Sequence, residues 1–395
     1  MPITGATAQV VNGLTARWAG VSSGGPVFSA AGVWPLLAFL ADGAQGAARA
    51  ELARALGVPA EQAAAAAREL LAGLADERAL DCALGLWTRR TLELREEWET
   101  GLPVDALGIL TGDPALDQRE MDAWAAKRTG GLIERMPVEA RDDTELVLAS
   151  ALALRTTWLR PFEVRPVRPS AGPWQGRTLR GLHRLSVRLD RVGVAAAPEG
   201  RVTEVRVLGD HGIDVHLLLG DEHMTPGQVM AAGTAALDGT CPVVRGSLLP
   251  YGPAGPGLRV EERPCATPRQ PTLEVTTAAF EVRAHHDLLE LHGLFGLTAA
   301  RDARQGHFPG ISVSPLTVGS ARQSVLARFD ALGFEAAAVT AVAAAPGAAP
   351  GGAPLGYTST VVTAAFDRPF GFLAVHRETR LALTAGWVKE PAAFG

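Results

Sequence analysis

The chain has 395 residues, 47% of them hydrophobic and 20% charged, and a formal net charge of −5 at pH 7. A chain of this length can bury a large hydrophobic core, and its composition is that of a globular protein. The mildly acidic balance lacks the basic excess that attracts nucleic acid or anionic lipid, so we expect neither nucleic acid nor a membrane as a partner.

Cysteine usage and the N-terminal residues give an expectation for the compartment. Cys82, Cys241 and Cys265 are far apart and form no CxxC pair, which favours reduced thiols over a disulfide framework. Residues 1–11 contain no basic residue ahead of an apolar stretch, as a secretory signal would require. No apolar run approaches the ~20 residues of a membrane helix. We therefore expect a soluble cytoplasmic protein, with an extracellular location as the alternative.

The first part of the chain has helical patterns. Residues 3–19 have apolar positions at helical spacing, and an apolar segment through Leu40 follows Ser29, the predicted N-cap of a second helix. Residues 43–56 and 60–74 predict two more helices, which the Gly57-Val58-Pro59 break separates.

Strand patterns then alternate with short helices. Residues 80–88 and 106–111 are predicted to be strands, with a helix over 93–100 between them. The four residues that begin at Asp117 have the form of a capping box, which predicts a helix from there to about Arg128.

From Thr144 onward the pattern is mostly that of strands. Residues 144–154 are almost entirely apolar, which predicts a central strand buried on both faces. The further predicted elements are an unpatterned stretch over 163–183, strand-like runs over 185–219, a helix over 226–237, a Pro/Gly-rich loop over 241–270, a strand over 273–283, a short helix from Asp287 to Leu294, and a strand over 325–329.

Residues 333–370 differ from the rest of the chain. Residues 333–342 are mostly small and carry Glu335 as their only charge, and residues 343–360 are rich in Pro and Gly, which predicts a mobile exposed loop. A run of small side chains beside such a loop can leave it and become a strand, because small side chains fit between existing strands with little repacking.

This segment resembles the reactive-centre loop of the serpins. The family's pattern of a Gly, a Glu and a run of Ala that ends in Thr matches Gly333 and residues 335–340. Its Phe-Asn-Arg-Pro-Phe matches residues 366–370, with Asp in place of Asn. Earlier in the chain, Trp158-Leu159-Arg160-Pro161-Phe162 matches its Trp-x-x-Pro-Phe, and the helix that contains Trp124 matches the one that lies across the main sheet. The resemblance covers about residue 10 to Pro391.

The resemblance implies an α+β protein with the serpin fold: three β-sheets, eight or nine helices and an exposed reactive-centre loop at about residues 334–360. It implies a single serpin domain over residues 1–395 and a monomer. Ala and Gly are abundant and there are only two lysines, Lys127 and Lys389, which is typical of a GC-rich genome. We therefore expect a bacterial, actinobacterial-like member of the family.

The family's activity implies that the chain inhibits a serine protease as a suicide substrate. The protease would cleave the loop, the freed arm would insert into the main sheet as a new strand, and the acyl-enzyme would be distorted before its hydrolysis is complete. Strand alternation predicts that Phe334, Ala336, Ala338 and Thr340 face the core after insertion. The hinge of the inserting arm is expected to comprise Gly333, Phe334, Glu335, Ala336, Ala337, Ala338, Val339 and Thr340.

Counting along the loop as in typical inhibitors places the scissile bond between Gly347 and Ala348, which suits an elastase-like or subtilisin-like serine protease. The loop is longer than usual. If the extra residues lie before the bond, Leu355 or Tyr357 would serve a chymotrypsin-like enzyme instead.

Several positions depart from the inhibitory pattern. Phe334 replaces the small residue that enters the sheet first, and forcing a ring into a packed slot typically costs about 1–3 kcal/mol. Ala331 stands where the family usually has Glu, and Gly32, Ser150 and Gln323 stand where its Ser, Asn and His form a polar latch beneath the sheet. These departures support a second hypothesis, a non-inhibitory serpin fold that is used for ligand binding or recruited as an enzyme.

Motifs for catalysis or metal binding are sparse. The sequence has no HExxH, P-loop or GxGxxG motif, so no catalytic residue and no cofactor is predicted. The one dense group of titratable residues is His285-His286-Asp287 with Glu290 and His292. Helical spacing would put His286 and Glu290 on one face, where a metal could bind. A helix cap on a solvated face is the simpler interpretation, so no metal site is predicted.

Overall fold

A computed structural model describes the chain over residues 3–21, 26–75, 80–138, 144–302, 306–334 and 356–395, except for the side chains of residues 81–83. The α-helices in these ranges are α1 (Gly5–Val21), α2 (Ala30–Gly43), α3 (Gly46–Leu56), α4 (Ala60–Ala75), α5 (Glu96–Thr100), α6 (Pro114–Arg128), α7 (Pro226–Leu237) and α8 (His292–Phe295). None of these helices is long and apolar enough to cross a membrane.

The same ranges contain strands of very different lengths. In chain order they are β1 (Val27–Phe28), β2 (Leu80–Arg89), β3 (Leu107–Leu110), β4 (Leu146–Leu154), β5 (Thr156–Thr157), β6 (Glu163–Val167), β7 (Leu179–Ser186), β8 (Val192–Ala197), β9 (Gly200–Leu208), β10 (Ile213–Gly220), β11 (Val243–Arg245), β12 (Gly252–Gly255), β13 (Leu258–Cys265), β14 (Thr272–Ala278), β15 (Phe280–Asp287), β16 (Ser320–Phe329), β17 (Gly333–Phe334), β18 (Tyr357–Ala365), β19 (Phe370–His376) and β20 (Leu381–Val388).

The strands form three sheets, as predicted. In the main sheet the order is β3-β2-β4-β16-β17-β5, with β15 also paired to β16. A second sheet has the order β1-β20-β19-β10-β9-β8-β11, and the third has the order β12-β13-β18-β14-β7-β6. Three sheets combined with helices of the N-terminal part confirm the α+β class.

Helix α2 lies at the centre of the apolar core. All residues from Ala30 to Ala41 are buried, since this helix is apolar on every side. As predicted, Ser29 is its N-cap, and the Ser29 Oγ accepts a hydrogen bond from the Gly32 N–H at 3.1 Å. The helices predicted over residues 3–19, 43–56, 60–74 and 226–237 are also confirmed, with small shifts at their ends.

Helix α6 lies against the outer face of the main sheet. Its Met121 and Ala125 share an apolar cluster with Val147 and Ala149 of β4, which confirms the helix predicted to cross this sheet. The predicted capping box is wrong, because α6 begins at Pro114 and its N-cap is Asp113. Asp117 is instead buried inside the first turns, where its carboxylate accepts hydrogen bonds from the backbone N–H groups of Thr111 and Gly112.

Two stretches predicted as irregular contain strands. The unpatterned residues 163–183 include β6 and part of β7, and the predicted loop 241–270 includes β11, β12 and β13. The single strand predicted over 273–283 is two strands, β14 and β15, in different sheets. The Pro-rich composition misled the prediction because β6 is an edge strand, where Pro is tolerated.

Glu204 of β9 is the centre of a buried ion cluster in the second sheet. Only 3% of its side chain is exposed, and its carboxylate accepts hydrogen bonds from the His216 Nδ1, at 2.7 Å, and from Arg245. Burial acts to raise the pKa of Glu204. The hydrogen bonds and charges of His216 and Arg245 outweigh that effect and hold the pKa at about 2.

This cluster predicts a specific loss of stability in acid. Because the folded-state pKa of about 2 lies below the unfolded value of roughly 4.3, ionised Glu204 stabilises the fold above pH ~4.3, and the contribution is lost as the pH falls towards 2. We expect Glu204→Gln to lower the free energy of unfolding at pH 7 by about 3 kcal/mol, as when one partner of a buried ion pair is removed. It should also flatten the pH dependence below pH ~4.3. Urea unfolding from pH 2 to 7 measures both effects.

The matched control is Glu262→Gln, which removes an exposed carboxylate from β13. A pH dependence of unfolding that is the same in the two variants would contradict the role given to Glu204.

Candidate functional site

The candidate site is a slot in the main sheet between β4 and β16. These two strands run parallel and pair directly over six residues, from Ser320 beside Val147 to Val325 beside Leu152. Beyond that contact, β5 continues the line of β4, and β17 lies between β5 and β16. The slot is therefore closed by direct pairing along most of its length and occupied by β17 at one end.

A tight turn brings β17 into the slot. The Asp330 N–H donates to the Gly333 carbonyl oxygen at 3.0 Å, so the chain reverses after β16 and β17 is antiparallel to both of its neighbours. Phe334 lies between Phe329 of β16 and Thr156 of β5. The first two residues of the predicted hinge are thus already strand residues of the main sheet.

Gly333 is required at its position by a close approach of two strands. A Cβ atom there would lie 2.4 Å from the Thr156 carbonyl oxygen, which is nearer than a real Cβ can come to backbone. A larger residue would therefore push β17 away from β5.

Phe334 is buried, as strand alternation predicts, with 1% of its surface exposed. The centroid of its ring lies 6.0 Å from that of Phe372 in the second sheet. The sequence predicted that this ring must be forced into a packed slot during insertion. That prediction is wrong, because the ring already lies in the slot and its packing is part of the resting structure.

Trp158 holds the turn between β16 and β17. Its Nε1 donates to the Asp330 carbonyl oxygen at 2.8 Å, and its backbone N–H donates to the Leu332 carbonyl oxygen at 2.9 Å. The centroid of its ring is 4.9 Å from that of Phe329. Arg180 adds an ion pair to Asp330 at 3.2 Å. The family landmark at Trp158 thus has a structural role at the entrance of the slot.

Ala331, where the family usually has Glu, is buried within this turn. Its carbonyl oxygen accepts a hydrogen bond from the Phe162 N–H at 2.8 Å. A small apolar residue suits a position that packs against the aromatic side chains of the entrance.

Asp210 fixes β5, the outer wall of the slot. Its carboxylate accepts hydrogen bonds from the Thr156 Oγ1 at 2.7 Å, the Thr157 N–H at 3.0 Å and the Thr157 Oγ1 at 2.6 Å. Burial acts to raise the pKa of Asp210, but these hydrogen bonds outweigh it and lower the pKa. Sequence patterns could not identify Asp210 as part of this site, since its partners lie more than 50 residues earlier in the chain.

Beneath the paired part of the slot, Gln323 joins both strands to α2. Its Oε1 accepts from the Ser29 N–H at 2.9 Å, and its Nε2 donates to the Ser29 carbonyl oxygen at 2.8 Å. The same Nε2 lies 3.5 Å from the Ser150 Oγ of β4. All three residues are buried. We call Gln323, Ser29 and Ser150 the latch.

Gly32 leaves the space that the latch needs. A Cβ atom at this position would lie 2.6 Å from the Ser150 Oγ and 3.3 Å from the Gln323 Nε2. A polar latch is therefore present beneath the sheet, although its residues depart from the family pattern. The long amide side chain of Gln323 reaches two backbone groups of Ser29, and the missing side chain at Gly32 makes that reach possible.

The titratable group around His286 is dispersed. The helix predicted from Asp287 is wrong, since β15 ends at that residue and α8 begins only at His292, so successive side chains point to opposite faces of a strand. Each side chain has its own partner: His285 has Ser324, His286 has the Val27 carbonyl oxygen, and Asp287 has Arg322. In the part of the chain that the structure describes, no three His, Cys, Asp or Glu side chains come together to hold a metal ion.

The remaining predicted site residues lie outside the described residues. These are Glu335, Ala336, Ala337, Ala338, Val339 and Thr340 of the hinge, the Gly347–Ala348 bond, and Leu355. Tyr357 is described: it begins β18 and pairs with Cys265 of β13.

The amino-acid sequence is similar to those of known serpins. The profile of the family described as serpin (serine protease inhibitor) matches residues 14–171. The chain is 27% identical over 392 residues to serpin-Z6A of Oryza sativa subsp. japonica, and the alignment covers 92% of this chain and 93% of that relative.

Solved structures share the architecture. A thermophilic serpin, tengpin, in the native state has a TM-score of 0.73 at 14% identity, with 97% of this chain and 93% of that chain covered. Thyroxine-binding globulin in complex with thyroxine has a TM-score of 0.72 at 16% identity, with 98% of both chains covered. The chain, with its three sheets, thus has the serpin fold. In sequence the chain is similar to serpins, through the profile match over residues 14–171 and a relative aligned over almost its whole length.

The latch generates a prediction about sheet opening. Gln323→Ala would leave the buried N–H group of Ser29 without its partner, which costs about 2 kcal/mol. Amide hydrogens of β4 and β16 should then exchange with solvent roughly 30-fold faster, since 1.4 kcal/mol is a factor of ten in an opening equilibrium. Hydrogen exchange followed by mass spectrometry measures this.

The control is Ser324→Ala, the next residue of β16, whose hydroxyl contacts His285 instead of α2. The assignment of the latch is wrong if exchange in β4 and β16 is equally fast in the two variants.

Proposed function

We propose that the protein inhibits serine proteases as a suicide substrate, by inserting its cleaved loop as a new strand between β4 and β16. The observation that carries this proposal is the hairpin of β16 and β17. It places the start of the loop inside the slot and antiparallel to both neighbouring strands. Insertion then extends an existing strand and does not have to nucleate a new one.

The registers on the two sides of β17 agree on the path of the extended strand. Phe334 pairs with Thr156 on one side and with Phe329 on the other. Because both pairings are antiparallel, each residue after Phe334 would pair with the residue one position earlier on each of the two flanking strands. Carried on to Ala343, this register would place that residue between Val147 and Ser320, which already face each other in the closed sheet. Residues 335–343 would therefore fill the slot without a shift of register.

The side chains of this segment suit such a strand. Ala336, Ala338 and Thr340 would share the inner face with Phe334, and all three are small enough for a core that is already packed. Glu335 would point to the outer face of the sheet, where a carboxylate can remain hydrated.

Strand pairing favours insertion. The closed slot contains one parallel ladder of six residue pairs, whereas an inserted strand would be antiparallel to both neighbours. Antiparallel pairing is slightly more stable per residue than parallel pairing, and each inserted residue adds contacts on two sides. Insertion must break this parallel ladder and also the contact between Gln323 and Ser150, since their strands would move apart by about 4.8 Å.

Insertion would carry a bound protease far from its starting position. About a dozen inserted residues at ~3.3 Å each correspond to ~40 Å. We propose Gly347–Ala348 as the scissile bond and an elastase-like or subtilisin-like protease as the target, since small residues flank that bond. Tyr357 suits cleavage less well, because it is paired with Cys265 in the third sheet. A bacterial origin stays a prediction from composition.

The second candidate is a non-inhibitory serpin fold that binds a ligand. Phe334 favours it, because a buried ring is a stable point at which the inserted strand would end. One structural neighbour is thyroxine-binding globulin in complex with thyroxine. The two candidates differ in whether the cleaved loop inserts.

A pair of charge substitutions tests the proposed register. Ala338→Arg would bring an unpaired charge into the core during insertion, at a cost well above the ~1.4 kcal/mol that slows a step tenfold. We expect it to reduce the SDS-stable complex with a subtilisin-like protease at least tenfold. Ala337→Arg adds the same charge to the outer face and should retain the complex. Gel quantification of the complex at fixed protease concentration measures both.

The outcomes separate the two candidates. Equal amounts of complex from both variants would contradict the register. Cleavage of the unmodified chain with no complex at all would contradict inhibition and favour the ligand-binding fold.

A further inference from the structure

A cavity of 310 Å³ opens beside the start of β6, next to the segment that carries Trp158 and Phe162. Three arginine side chains line it: Arg160, Arg165 and Arg184. We call it the arginine cavity. It contains one carboxylate, Glu163, which is already paired with Arg165. The cavity therefore holds more positive than negative charge.

Arg184 is the least exposed of these three cations. Its guanidinium lies over the ring of Phe162, 4.4 Å from the centroid, and donates one hydrogen bond to the Arg160 carbonyl oxygen at 3.0 Å. Among the described residues, no carboxylate pairs with it. A guanidinium has five N–H donors in a planar fork, so most of its binding capacity is unused.

The surroundings repel this cation. Burial, then the charges of Arg160 and Arg191, lower the pKa of Arg184 to about 10. His183, also in the cavity, has its pKa lowered by burial and then by the charge of Arg165. The nearby Asp190 is occupied by Arg188 and Arg191. An anion that enters the cavity would offset this repulsion between like charges.

We propose that the arginine cavity binds a small divalent or trivalent oxyanion, one that carries phosphate or carboxylate groups. Guanidinium forks match the paired oxygens of both groups, which gives two parallel charge-assisted hydrogen bonds. Arg184 would supply the inner contact, on the Phe162 ring, and the exposed Arg160 would close over the anion from the rim.

The cavity adjoins the hinge. Phe162, under the Arg184 guanidinium, donates its backbone N–H to the Ala331 carbonyl oxygen, and its ring lies 5.7 Å from that of Phe329. An anion bound there would thus contact the layer of side chains that supports the turn into β17. The proposal does not depend on protease inhibition, because it concerns a binding site that both candidate functions would retain.

Isothermal titration of the full chain with inorganic phosphate and, separately, with succinate tests the proposal at pH 7.5 and an ionic strength held constant with NaCl. We expect saturable one-site binding of at least one of the two anions, and the stronger of the two identifies the preferred group. Arg184→Gln and Arg160→Gln should each weaken that binding at least tenfold. The control, Arg259→Gln on β13, removes an exposed cation from the sheet that contains Arg184 and should bind like the unmodified chain.

Three results would overturn the proposal. The first is the absence of saturable heat with both anions. The second is binding that Arg160→Gln and a folded Arg184→Gln, verified by circular dichroism, leave unchanged. The third is no anion binding combined with slower protease complex formation in Arg184→Gln, which would make the cavity a contact site for an acidic surface of the protease.

Discussion

The parallel pairing of β4 with β16 is the constraint on which the rest of the structure depends. Two parallel neighbours can accept a strand that is antiparallel to both, and the surrounding elements keep that place closed without filling it. Helix α2 supplies the floor through Ser29, α6 covers the outer face, and Asp210 fixes the wall at the end where the chain enters. In the proposed mechanism, this parallel contact is exchanged for antiparallel pairing with an inserted strand.

Two groups act on the slot in opposite ways. At one end, the ring of Phe334 is packed against the second sheet, so β17 already occupies the place where the proposed insertion would begin. Within the paired part, where Gln323 lies beside Ser150, the latch ties β16 and β4 to the N-terminus of α2. A bulky hinge residue and an altered latch would each be defects on their own. In this chain, Gly32 and Gln323 compensate for each other, and in the proposed mechanism Phe334 sets the point from which insertion would begin.

Features that depend on residues close together in the sequence could be predicted. The apolar run at 144–154 is a central strand, and Ser29 caps α2. The strand β13 could not be predicted, because Pro and Gly dominate its surroundings and it is paired with β18, about 100 residues later. Alternation correctly assigned Phe334 to the inner face, but its position in the resting sheet depends on the Asp330–Gly333 turn. The latch joins residues that are 294 positions apart, a distance over which sequence patterns carry no geometric information.

The most direct test of the account is the thermal stability of the chain before and after cleavage of its loop. A limited digest with a subtilisin-like protease, checked by mass spectrometry for a single cut between residues 343 and 356, gives the nicked form. If residues 335–343 insert between β4 and β16, the melting temperature of the nicked form should exceed that of the intact chain by tens of degrees, because new strand pairing on both sides stabilises the whole sheet. An unchanged melting temperature would show that the strand stops at Phe334 and would contradict insertion.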